Sequence, residues 1–288
     1  MKTLLVLLLS GCSGLPAAPG FEFRELNPTS VELLEDGKPV YVYNYGMTLK
    51  PGVNEDRRRA GYLHPVWTPR GTVVTDDFPA DHPHHRGIFW AWPHVKTSGG
   101  DFDLWGIRGI HQKFVRWMEK TVSPGQARLA VENVWEAGGR RLVKETALVV
   151  AHRAAANRRV LDFTLAFEPL GEPVLLLGES SSKKGYGGFC VRFAERHNTW
   201  IHTDRGKEEA DSNMVPHPWA ELSADYDGRR ATVRVEISPQ NPGYPNGWCL
   251  RHYGFLGVNF PGTTAYALRR GKPLELRYRV IVSDSTTF

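Results

Sequence analysis

Three cysteines in a chain of 288 residues are too few for a disulfide framework, so the fold must rest on a conventional core. Helical signals are equally scarce. No stretch of twelve or more residues sustains a 3.6-residue apolar period, which argues against a helical bundle and against sheets wrapped in crossover helices. No apolar run approaches the ~20 residues of a membrane-spanning helix. Charge of one sign is not concentrated either. The formal net charge is +5, yet Arg57-Arg58-Arg59 is the one basic run and elsewhere Lys and Arg alternate with acids, so the clustered stripe of a nucleic-acid binder is missing. With 41% hydrophobic and 23% charged residues the chain is neither disordered nor fibrous and can bury a sizeable core.

The N-terminus carries its own signal. Met1-Lys2-Thr3 is a short cationic start, Leu4 to Leu9 is wholly apolar, and Leu9-Ser10-Gly11-Cys12 closes the run with small residues and a thiol. This resembles a bacterial lipoprotein signal, in which cleavage precedes the cysteine and its sulfur receives lipid. The expectation is a removable signal over 1–12 with Cys12 lipidated, a tether over 13–20, and one domain over 21–288. The protein would be exported and held at the membrane, facing the periplasm or the cell surface, through lipid alone. Cys190 and Cys249 lie in segments that read as buried strands, and the sequence leaves open whether they pair.

From Phe21 onward the dominant pattern is period-two alternation punctuated by turn signals. Asp36-Gly37 between Val31–Glu35 and Lys38–Tyr43, and Asp227-Gly228 between Ala220–Tyr226 and Ala231–Ile237, are two-residue hairpin signals. Further strands are expected over 114–122, 127–135, 140–150, 158–167 and 274–282. With no linker or break in composition, these describe an all-β fold, a large antiparallel double-sheet sandwich. The stretch from Gly46 to Gly109 differs, being rich in Pro, Gly, Trp and His with little strand signal. Long loops in compact domains are usually functional.

Within it, Asp76-Asp77-Phe78-Pro79-Ala80-Asp81-His82-Pro83-His84-His85-Arg86 packs three imidazoles, a guanidinium and three carboxylates into eleven residues, and Trp90 and Trp92 follow. On an extended segment His82 and His84 would face one way and could ligate a divalent metal; no other cofactor is required by the pattern. His64 sits in a second polar-aromatic loop, Tyr186 and Arg192 flank a glycine-rich turn, and Trp248, Arg251 and His252 follow a Pro/Asn/Gly stretch. Aromatic faces combined with Arg, His and Asp edges suit a sugar or oligosaccharide, whose C–H faces stack while its hydroxyls take hydrogen bonds. Arg additionally suits a carboxylated sugar. Trp90 and Trp92, following an apolar run, also fit core positions.

Taken together, the strings His64-Pro65 with Thr68-Pro69 and Gly71, Asp81-His82-Pro83-His84-His85-Arg86-Gly87 with Trp90, Tyr186-Gly187-Gly188 with Arg192, and Asn241-Pro242 with Tyr244-Pro245, Trp248 and Arg251 resemble the PmoA-like family of exported bacterial proteins, labelled "methane oxygenase". The resemblance implies the galactose-mutarotase-like supersandwich of sugar epimerases and polysaccharide lyases. The resulting expectation is a cell-envelope enzyme that hydrolyses, eliminates or epimerises a sugar by His-based acid/base chemistry. His84 and His85 would exchange protons with Tyr186 and Arg86 assisting, and His64, Asp81, Arg192, Trp248, Arg251 and His252 would bind substrate. The alternatives are a non-catalytic glycan-binding lipoprotein and a metal enzyme using His82 and His84.

Overall fold

The computed structural model describes residues 20–284; the signal, Cys12 and the tether up to residue 19 lie outside them. The hairpin signals act as their chemistry requires. Asp36 and Gly37 have φ of 50° and 76°, and Asp227 and Gly228 have 46° and 76°, the paired positive values of a tight two-residue turn. The alternating segments form strands a few residues longer than expected, such as His111–Val122, Gln126–Ala137, Arg140–His152, Arg158–Pro169 and Leu274–Asp284. Among the described residues the one helical element is a short 3-10 turn, Glu55–Arg57, and no helix is long and apolar enough to cross a membrane.

Adjacent strands pair antiparallel in two nine-stranded sheets and a smaller four-stranded one. The first large sheet runs as a meander from Phe21–Asn27 to Ile88–Ala91, then continues through Gly188–Arg192, Phe255–Asn259 and Gly247–Arg251 to an edge at Ser212–Pro216. The second has Leu274–Asp284 and Arg158–Pro169 at its centre and His111–Val122 at one edge. The two pack face to face: Phe189 of the first stacks on Tyr278 of the second at 4.4 Å between ring centroids and meets Phe163 at 5.1 Å. Trp90 and Trp92 are fully buried, as core positions. The all-β sandwich is therefore the observed architecture.

The sheets differ in their environment. Along Arg158–Pro169 every second residue is buried, the signature of one core face and one solvent face. In Ile88–Ala91, Gly188–Arg192 and Phe255–Asn259 every residue is buried, because loops cover the outer face of the first sheet. This corrects the loop-like expectation for 46–109, which contains Tyr62–Val66, Ile88–Ala91, His94–Thr97 and Gly100–Phe102. Of these, Ile88–Ala91 is buried on both faces and so loses the alternation by which it would be recognised, while His94–Thr97 and Gly100–Phe102 are too short to show one.

Two polar contacts fix the sandwich from within. Glu145 is fully buried and accepts hydrogen bonds from Trp135 Nε1 at 2.6 Å, Asn133 Nδ2 at 2.8 Å and Gln112 Nε2 at 2.9 Å, tying three strands of the second sheet together. Between the sheets, Arg159 Nη2 meets Glu35 Oε2 at 2.6 Å, with both side chains almost completely enclosed. Buried charges are tolerated when paired and hydrogen-bonded in this way.

Candidate active site

Register decides which side chains reach the outer face of the first sheet. Cys190 pairs with Phe89 on one side and Gly257 on the other, and Gly257 pairs with Cys249. Directly paired residues share a face and the side-chain period is two. Phe89, Cys190, Arg192, Phe255, Cys249 and Arg251 therefore point outward, and Trp90, Phe189, Val258 and Trp248 point into the core. Cys190 and Cys249 are separated by two strand spacings, about 9.5 Å, beyond the ~7 Å Cα limit of a disulfide. Both are free and buried.

The His-rich segment lies on this face as a turn rather than an extended strand. The amide of His85 donates to the carbonyl of His82 at 2.8 Å, and the amide of Phe78 to that of His85 at 3.2 Å. The turn inserts its rings into an aromatic column. Tyr253 stacks on His82 at 5.1 Å, His82 on His85 at 4.6 Å, and His85 on Phe255 at 4.9 Å. Trp105 closes the side of the column, edge-on to His85 at 5.5 Å, and Tyr186 packs against Trp105 at 4.9 Å. His84 stands edge-on to His85 at 4.7 Å.

The outermost histidine of the column is paired with a carboxylate. His82 Nδ1 lies 2.9 Å from Asp81 Oδ2, and Asp81 Oδ1 accepts from Arg192 Nη2 at 2.7 Å. Burial alone would raise the Asp81 carboxyl, but the hydrogen bonds from His82 and Arg192 hold it below the usual range, so it stays ionised and accepts the Nδ1 proton of His82. His85 is almost fully buried, and burial, reinforced by the neighbouring His84, His82 and Arg192, drives its pKa well below the usual value. Burial followed by the charges of Arg59, His82, Arg57 and Arg86 pushes His84 down to about 3. Burial thus favours the neutral form of both rings.

A groove of about 560 Å³ opens beside Asp81, and Asp76, Arg192, Glu195, Arg196, His252 and Tyr253 are among its other lining residues. Nε and Nη1 of Arg192 and Nε of Arg196 are buried donors without a partner among the described residues. Asp76 and Asp81 are shifted in opposite directions: burial, only partly offset by His64 and Arg192, raises Asp76. The phenol of Tyr253 is pushed up to about 12, first by burial, and stays protonated.

Other expected residues are placed elsewhere. Arg86 is wholly buried, donating to the carbonyls of Pro83, His85 and Arg57 and lying 3.4 Å over the Phe78 ring, so it pins the turn instead of meeting substrate. Trp248 is fully buried with Nε1 bonded to the carbonyl of His217 at 2.8 Å; parity turned it inward, and it offers no face to a sugar. Arg251 is spent on the carbonyls of Ser212 and Leu250 and on the amide oxygen of Asn213. His252 lines the groove but is braced by Asp211 and the carbonyl of Glu208. His64 forms a separate unit with Thr75 and Asp77, and Tyr186 reaches the column only through Trp105. His82 and His84 have ring centroids 5.9 Å apart and inclined at 71°. Among the described residues no group of three or more His, Cys, Asp or Glu is arranged to hold a metal.

A family of unknown function, DUF6807, matches residues 30–287, the whole described sandwich apart from its first edge strand, Phe21–Asn27. The chain belongs to the DUF6807 family. None of the curated proteins matches it. Two groove residues of this DUF6807 chain, Arg196 and Tyr253, were not singled out from sequence. Tyr253 is adjacent to the Arg251-His252 pair that drew attention, whereas Arg196 follows Ala194-Glu195 with no motif around it.

Proposed function

We propose that the protein is a carbohydrate-active enzyme of the cell envelope that acts on an acidic sugar or oligosaccharide by acid/base chemistry, with His82 as the base. The observation carrying this reading is the Asp81–His82 dyad at the edge of a groove whose wall holds unsatisfied guanidinium donors. A base needs an accessible lone pair and a fixed ring. His82 has Asp81 on Nδ1 and Tyr253 and His85 on its two faces, which leaves Nε2 to accept a proton from a hydroxyl or from carbon beside a carboxylate. A substrate carboxylate would satisfy the spare donors of Arg192 and Arg196 and lower the cost of carbanion or alkoxide formation. Asp76, favoured in its protonated form by burial, and the neutral phenol of Tyr253 supply the complementary proton donors.

The likeness of the His-rich string to PmoA-like proteins, and the supersandwich expected with it, point toward sugars as well. Because a fold alone does not transfer activity, the reading rests on the dyad and the groove. It is tested by incubating the protein with uronate-containing oligosaccharides and with their carboxyl-reduced counterparts, following products by proton NMR. Turnover of the acidic series and none of the neutral series is expected. Turnover of the neutral series alone overturns the acidic-substrate reading, and tight binding of either series without turnover replaces the enzyme with a glycan-binding lipoprotein.

A further inference from the structure

At the other end of the strand that carries Phe255, the outer face holds a second and chemically different cavity. It has about 350 Å³ of space, and Asn246, Asn259, Phe260, Ala265 and Tyr266 are among its lining residues, none of which is charged. Asn259 lies four residues beyond Phe255, about 14 Å along the strand. It pairs directly with Gly247, so Asn246 and Asn259 are brought side by side.

Both carboxamides are oriented by their amino groups. Asn246 Nδ2 donates to the carbonyl of Pro242 at 3.0 Å, and Asn259 Nδ2 to the carbonyl of Lys184 at 3.1 Å. Their oxygens are left without a donor, although the residues are only 7% and 2% exposed. Buried carbonyl-type oxygens are nearly always satisfied. Two orphaned acceptors beside one cavity therefore call for a ligand that donates hydrogen bonds. The absence of any charged lining residue disfavours an ion, and the Tyr266 ring, tilted against Phe260 at 5.2 Å, supplies an aromatic wall. Hydroxyl donors on a body with an apolar face are the chemistry of a neutral pyranose.

We propose that this pocket is a second binding site, for a neutral pyranose or the neutral unit of a longer glycan. It uses no residue of the Asp81–His82 groove, so it stands or falls separately from the catalytic reading. The test is saturation-transfer NMR with methyl β-D-glucopyranoside, methyl β-D-galactopyranoside and methyl α-D-mannopyranoside, with D-glucuronate as the charged comparison. Ala265 is exposed at the rim, so Ala265→Trp fills the cavity without entering the core. At least one neutral glycoside is expected to bind the wild type and His82→Asn alike, with affinity reduced about tenfold or more, some 1.4 kcal/mol, in both Ala265→Trp and Tyr266→Ala. Glucuronate binding should be unaffected by Ala265→Trp. Absence of binding by all three glycosides, or binding that survives Ala265→Trp with an unchanged melting temperature, overturns the proposal.

Discussion

Lowering the pH from 7 to 5 is expected to destabilise this fold chiefly through histidines that are buried uncharged. His84 falls from an ordinary 6.5 to about 3, and His85 also falls well below 6.5. For such bases the unfolded chain takes up the proton first. The stability they confer is complete above the unfolded pKa and is lost progressively as pH falls through 6.5 toward the folded value. Between pH 7 and 5 the folded His84 ring stays neutral, so its loss depends on the unfolded pKa alone and comes to at most about 2 kcal/mol, or some 4–8 °C in melting temperature at about 2–4 °C per kcal/mol for a chain of this size. His85, lowered by burial, adds to the loss in the same direction. His64 and His111 are lowered as well, first by burial, so the informative quantity is a difference between proteins. Thermal unfolding should be followed by circular dichroism at both pH values for the wild type and for His84→Gln combined with His85→Phe, the phenyl ring preserving the stack on Phe255. The variant should lose about 2 kcal/mol less than the wild type on acidification, or more where His85 adds to it. An equal loss in both would refute the claim that these rings are held neutral.

Removing one partner of the buried pair between the sheets, as in Arg159→Met, should cost less than the ~3–5 kcal/mol of a wholly uncompensated buried charge, because Glu35 keeps the Ala154 amide and the Arg153 guanidinium at 3.8 Å; chemical denaturation measures it. Cys190 and Cys249 are free and buried, so a thiol reagent should find no reactive cysteine in the folded mature domain and two after unfolding. With Leu9-Ser10-Gly11-Cys12 read as a lipoprotein signal, Cys12→Ser expressed in a Gram-negative host should move the protein from the membrane fraction to the soluble one; wild type that is already soluble removes the anchor.

The second sheet was legible because one of its faces meets the core and the other meets water, so Arg158–Pro169 announces itself by alternation and the hairpin at Asp227-Gly228 by turn chemistry, as Asp36-Gly37 does at the outer end of the first sheet. The centre of the first sheet was not. Ile88–Ala91 is buried on both faces, and its apolar run could equally have belonged to other structure. The density of histidine drew attention to this segment, yet the surroundings of each ring depend on partners from distant chain segments. Tyr253 and Phe255 determine that His82 is at the open end of the column and His85 is enclosed. Trp248 and Arg251 show the same limit, since strand parity sends one inward and bonds to the edge strand occupy the other. Arg86 looked like a substrate ligand because sequence does not reveal that three backbone carbonyls already claim it.

The central claim is that one histidine of the three carries the chemistry. The most direct measurement is kcat on an acidic oligosaccharide for His82→Asn, His84→Gln and His85→Phe, each shown by its melting temperature to be folded at the assay pH. The account predicts a loss of about 100-fold or more for His82→Asn, the scale of general acid/base catalysis, with His84→Gln and His85→Phe keeping most of the activity. Full activity in His82→Asn, or a loss confined to His84→Gln or His85→Phe, would contradict it.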